Sequence, residues 1–255
     1  INVATAAKQL QVLSDNRNSK CREDTGKMLN RLWGLIQQQI DVFDTRGLSN
    51  IIWAVGKLQD GSGGAAGQRS EGSGCTYTTM VMQSLFPAFM ERLSAANAQN
   101  ANVLYSVAKA RQCLSDEQVQ QLLDQLLLFA AADVRPQTFS NSLWAVATMG
   151  RRLTRMQLQQ LLDAFAGKLQ QAAPQEIKDT LWAVATMGQQ MPEGLLQQYV
   201  LAFVHKVQQA KPREISNTLW AVATMGQQLP ANQLQQLLDA FASKLQQAAP
   251  QNIKD

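Results

Sequence analysis

The stretch Pro174-Gln175-Glu176-Ile177-Lys178-Asp179-Thr180-Leu181-Trp182-Ala183-Val184-Ala185-Thr186-Met187-Gly188 decides the fold. Pro174 suits the first helical position, where a missing N–H costs nothing. Glu176 sits in the first turn, favourably placed against the helix dipole. Ile177, Leu181, Val184, Ala185 and Met187 recur at helical spacing, and Gly188 falls where a left-handed C-terminal cap is wanted. The string reads as one helix.

The same string begins again at Pro136, Pro212 and Pro250, in a constant 38-residue step, and Trp144, Trp182 and Trp220 keep that step. A fixed period of this size means a stack of units too small to bury their apolar faces alone. Between the copies lies a second helical pattern. Leu158, Leu161, Leu162, Phe165 and Leu169 make one apolar stripe, and Leu195, Leu196, Tyr199, Phe203 and Val207 follow it in the next copy. Thr154 with Gln157, and Ser115 with Gln118, are capping-box patterns that open these second helices. Strand patterns are absent. The expected fold class is all-α: an α-solenoid of stacked 38-residue helical hairpins, with Trp-bearing helices in one layer and Leu/Phe-striped helices in the other. The tryptophans stand amid Ala, Val and Met, so they are expected in the core between units rather than as a stacking platform for a partner.

Towards the N-terminus the copies degenerate. Tyr105 takes the Trp position one period and one residue before Trp144, and Trp53 takes it earlier still, at a step of 52, which is 38 plus 14. The excess lies in the Gly/Ser-rich insertion near 61–74, read as a flexible loop. It lacks the Gly-Lys-Ser/Thr ending of a phosphate-binding loop. The organisation expected is a single α-solenoid fragment over 1–255. It comprises a degenerate half-repeat over about 1–20, degenerate repeats over 21–135, three regular repeats over 136–249 and the start of a further repeat at 250–255. Both ends fall inside the pattern without a polar cap, which predicts a piece of a longer protein whose end faces associate, with themselves or with protein partners.

Composition narrows the function. Apolar residues make up 45% of the chain and charged ones 16%, with net charge +4, a mild lean towards an anionic partner. Cys21, Cys75 and Cys113 match no metal or disulfide spacing and read as free thiols. His205, the only histidine, stands where sister copies have Gly167 and Ser243. No nucleophile constellation, carboxylate pair or metal cluster recurs, so the expectation is a binding protein, not an enzyme, with no cofactor, no metal and no membrane segment.

The variable positions of the first helix suggest where a partner is read. Three residues before the aromatic stand Asn50, Asn102, Asn141, Asp179 and Asn217, and one earlier stand Ser49, Ala101, Ser140, Lys178 and Ser216. Their surroundings barely change, yet this pair toggles between Ser-Asn and Lys-Asp. Asn both donates and accepts, whereas ionised Asp only accepts, so the toggle inverts part of a hydrogen-bond code. Helix bracing is the competing account; it explains Asn or Asp, but not the linked change beside it. Helical spacing extends the face to Lys57, Lys109, Thr148, Thr186 and Thr224. Lys168, Lys206 and Lys244, at a strict 38-residue step, read as a solvated outer face.

The pattern Pro-Gln-x-Ile/Phe-x-Asn/Asp-x-Leu-Trp-Ala-x-Ala-x-Met-Gly, repeated at that same period from position 136 onwards and more loosely from about 20 to 135, resembles the octotricopeptide repeat. That resemblance implies an α-solenoid that binds single-stranded RNA sequence-specifically, about one nucleotide per repeat. It further implies a role in organellar mRNA stability, processing, splicing or translation, in the chloroplast or, alternatively, the mitochondrion. The runner-up is a protein-binding scaffold of the TPR or HEAT kind, which calls for an apolar or carboxylate-clamping groove.

Overall fold

The computed structural model describes residues 31, 33–60, 74–93, 103–109, 114–129 and 134–248. Among these residues every regular element is helical and there is no strand. The expected half-repeat over 1–20, most of the 61–74 insertion, Cys21, Cys113 and the 250–255 start lie outside the described residues, as does the Cys75 side chain. The chain divides into two compact units, 1–134 and 135–255. The division falls beside Pro136, where the regular copies begin.

In the first unit, α1 (Thr45–Asp60) packs against α2 (Gly74–Glu91) and α3 (Val103–Lys109), with α4 (Asp116–Leu128) following. Leu48, Ile51 and Ile52 of α1, Leu85 and Phe89 of α2, and Val103 and Leu104 of α3 are buried. The predicted capping box opens α4. Ser115 Oγ accepts from the Gln118 N–H at 3.2 Å, and Gln118 Oε1 accepts from the Ser115 N–H at 2.9 Å.

The second unit holds α5 (Pro136–Thr148), α6 (Arg155–Ala166), α7 (Pro174–Thr186), α8 (Glu193–His205), α9 (Pro212–Thr224) and α10 (Ala231–Ala248). The helices α5, α7 and α9 lie side by side, and α8 neighbours both α6 and α10, which gives the two layers expected. Each Trp-bearing helix starts at its proline, spans 13 residues and stops at the same threonine. The stops are Schellman motifs. Gly150, Gly188 and Gly226 have φ of 69°, 63° and 69°. Arg151, Gln189 and Gln227 each donate back to a valine carbonyl (Val146, Val184, Val222), satisfying backbone groups that a helix end otherwise leaves orphaned. Thr154 and Gln157 form the second predicted box, at 3.2 and 2.9 Å. The acidic first turns of α7 and α9 are one-sided versions, in which the Ala173 N–H donates to Glu176 and the Lys211 N–H to Glu214.

Side-chain bonds from one copy to the backbone of the preceding copy lock the stack. Gln189 Nε2 donates to the Leu153 carbonyl at 2.8 Å while Gln189 Oε1 accepts from the Leu153 N–H, and Gln227 donates to Met191 one copy on. Tyr199 donates to the Leu162 carbonyl at 2.8 Å. Lys206 donates to the carbonyls of Leu169, Gln170 and Ala172, and Lys244 to that of Gln208. These near-period offsets set each copy on the last in the same sense. Lys206 and Lys244 are therefore not the free outer-face cations expected: they close carbonyls left over at the end of the preceding copy, and burial pushes the Lys206 ammonium pKa down.

The core follows one stripe of each first helix. Ile177, Thr180, Leu181 and Val184 of α7 are fully buried towards the second layer, whereas Ala183 and Ala185 are buried on its flanks. Small flank residues let neighbouring helices approach closely. Trp182 projects almost opposite Val184, because two steps of about 100° put them far apart on the wheel. Trp144 and Trp182 are accordingly only half-buried, and Trp220 is 47% exposed. The expectation of tryptophans in the inter-unit core is met in part: Trp144 and Trp182 are largely but not fully buried, and helix phase turns their remaining surface, and more of Trp220, to the open side. On the last hairpin, Leu238 is 44% exposed although its counterparts Leu162 and Val200 are fully buried; Leu234 and Leu245 behave alike.

Candidate nucleic-acid interface

Each first helix carries one open stripe, and it is the same in every copy described. In α7 the stripe runs Gln175, Asp179, Trp182, Thr186; in α5, Gln137, Asn141, Trp144, Thr148; in α9, Arg213, Asn217, Trp220, Thr224. The end positions are exposed and the middle two half-buried, apart from the more open Trp220. Because α5, α7 and α9 are neighbours, the stripes form rows: amides or Arg, then Asn or Asp, then Trp, then Thr.

The first unit repeats the arrangement within its own helices. In α1, Arg46 and Asn50 are exposed and Trp53 half-buried. In α3, Tyr105 and Lys109 are half-buried, and Lys109 Nζ lies 5.6 Å from the centre of the Tyr105 ring. Ala101 and Asn102 lie outside the described residues, as does the side chain of Lys57.

The structure separates the two halves of the toggling pair. Asn50, Asn141, Asp179 and Asn217 reach the open stripe. The serine before each Asn turns away. Ser140 is fully buried with its hydroxyl donating to the Gln137 carbonyl at 3.1 Å, Ser216 donates likewise to Arg213, and Ser49 is also buried. Burial takes Ser49 and Ser140 off the stripe, and Ser216, which stays half-buried, bonds back to its own helix. Lys178, in the one Lys-Asp copy among the described residues, pairs directly with the Asp179 carboxylate, both side chains half-buried. A half-buried carboxylate is costly without a counter-charge, so the linked Ser-to-Lys change has an internal electrostatic cause. What remains variable on the surface is Asn against Asp.

Sequence reasoning missed the position seven before the aromatic, held by Arg46, Gln137, Gln175 and Arg213. It lies one helical turn before the Asn/Asp row, and its Gln-to-Arg change was the available signal. Among the described residues no group of three His, Cys, Asp or Glu side chains could hold a metal ion, and no helix is long and apolar enough to cross a membrane.

Residues 151–254 match the model of a family described as Tbc2 translation factor, N-terminal domain. The match covers α6 to α10 and stops short of the first unit. No curated protein matches the chain.

Proposed function

We propose that this chain binds single-stranded RNA, with each first helix contributing its open stripe to about one nucleotide, and that it serves mRNA translation in an organelle. The observation that carries the reading is the stripe itself. Of its four positions, the aromatic and the Thr stay constant across the regular copies while the Asn/Asp and Gln/Arg positions change. A row that keeps one planar contact and varies the hydrogen-bonding group beside it suits a polymer of unlike bases on a uniform backbone. Similarity of residues 151–254 to a domain named for a translation factor puts translation ahead of processing or splicing. The resemblance to the octotricopeptide repeat supports the chloroplast, with the mitochondrion as the alternative. In this reading the described helices act as a binder.

A protein-binding scaffold is favoured by one observation, the exposed Leu234, Leu238 and Leu245 on the last hairpin. That face is separate from the stripe, whose polar rows lack the apolar groove such a scaffold needs.

Titrating the full chain with a labelled randomised RNA pool at several salt concentrations tests the reading. Affinity is expected to fall as salt rises, because neutralised phosphates release counterions. Arg213→Gln, or Lys109→Gln, is expected to reduce the salt slope by about 1 each. Absence of binding at low salt, with the protein folded, removes the RNA reading.

A further inference from the structure

The tryptophan row is not fully absorbed by the core. Trp182 lies on a helix with neighbours on both flanks, α5 and α9, and is still only half-buried. Ala183 and Ala185, at flank positions of the helix, are buried, as are Ile177, Leu181 and Val184 on its inner side. The large ring is left facing the open side between Asp179 and Thr186. Trp220 stands 47% exposed between Asn217 and Thr224, on a helix that has α7 on one flank and an exposed Ala223 on the other. Each copy thus places an indole at the centre of an otherwise polar stripe, and α1 and α3 keep an aromatic there, Trp53 and Tyr105. Elsewhere on these faces the residues are Gln, Asn, Asp, Arg, Lys and Thr.

An apolar helix from a protein partner would leave those polar groups unsatisfied on both sides of the ring. A flat π-system edged with donors and acceptors suits both at once: its face covers the indole and its edge meets the Asn or Asp side chain one turn away. Unpaired nucleobases have that form, every base has such a face, and the basic chain suits the phosphates between them.

We infer that Trp144, Trp182 and Trp220 form a stacking platform for successive unpaired bases, supplying sequence-independent affinity while the adjacent Asn or Asp discriminates. This rests on the RNA reading above and assigns the aromatic contact within it. The core reading of the tryptophans leaves no such contact.

Trp220 is the residue to change, because its exposure makes a folding defect least severe. Full-length Trp220→Leu, Trp220→Phe and wild type are compared for affinity to RNA enriched from the randomised pool, with folding checked by circular dichroism. Trp220→Leu is expected to bind about 5- to 150-fold more weakly, with an unchanged salt slope, since no phosphate contact is lost. Trp220→Phe is expected to retain most of the affinity. The Trp220→Leu loss should also shrink when a single abasic site, scanned along the RNA, reaches the nucleotide stacked on this ring. Wild-type binding with Trp220→Leu equal to it overturns the stacking platform and leaves RNA binding standing. Equal loss in Trp220→Leu and Trp220→Phe overturns it too. No binding by wild type overturns both.

Discussion

Replacing Phe165 by alanine is expected to cost about 3–5 kcal/mol of stability, the range for a buried aromatic truncated to a cavity. Phe165 is fully buried. Its ring stacks on Phe139 of α5 at 6.3 Å between centroids and meets the edge of Tyr199 of α8 at 5.5 Å. It therefore joins three helices from two successive copies. Tyr199 cannot relax into the space without weakening its 2.8 Å bond to the Leu162 carbonyl, so little of the cavity can close. In a stack where each copy touches only its neighbours, the loss should be local to residues 135–255 before it spreads. Urea unfolding of the full chain, followed by amide hydrogen exchange to locate the loss, measures it. A change below about 1 kcal/mol would mean the ring is not in a packed core. Trp182→Ala is expected to cost less than Phe165→Ala, since part of that side chain is already in water.

Changing Lys178 to Ser and Asp179 to Asn together is expected to alter base preference at one nucleotide, by about 1–3 kcal/mol, taking base-edge contacts in DNA as the guide. Asp179 only accepts, and Lys178 already occupies one of its oxygens. The remaining oxygen accepts from a base edge, where guanine and uracil offer a ring N–H, whereas adenine and cytosine offer an amino group beside a ring nitrogen that itself accepts and would repel the carboxylate. The α7 copy should favour guanine or uracil, and the Asn141 and Asn217 copies adenine or another base whose edge both gives and takes. The double change is needed because Asp179→Asn alone leaves the Lys178 ammonium half-buried without its partner. Sequencing RNA selected by both proteins reads the outcome. If the variant loses affinity equally for all sequences, the pair is a structural brace and not part of a code.

The architecture is legible in the sequence because each signal is local and repeated. Prolines at helix starts, glycines at left-handed caps and the two capping boxes all stand where the sequence puts them, since each depends on a few adjacent residues. Hydrophobicity alone overstates the burial of the tryptophans, most of all Trp220, because helix angle works against it. Ile177, Leu181 and Val184 share one side of the helix, and Trp182 lies across from them. Bonds between copies are hidden for another reason. Gln189 and Gln227 look like the many other glutamines on the surface, and only their distance from Leu153 and Met191 distinguishes them. Lys206 looks like a surface cation in the same way, because the carbonyls that hold it belong to a turn of the preceding copy. For the site, the Asn/Asp row is visible as variation at a fixed place. The inward turn of Ser140 and the ion pair of Lys178 depend on three-dimensional neighbours that the spacing alone does not specify.

Ultraviolet crosslinking of the full chain to RNA enriched from a randomised pool, followed by mass spectrometry of the attached peptides, tests the central claim most directly. Adducts are expected on the open stripes of the first helices, at Asn141–Trp144 of α5, Asp179–Trp182 of α7 and Asn217–Trp220 of α9. Adducts confined to the glutamine-rich faces of α6, α8 and α10, with those stripes unmarked, would contradict it.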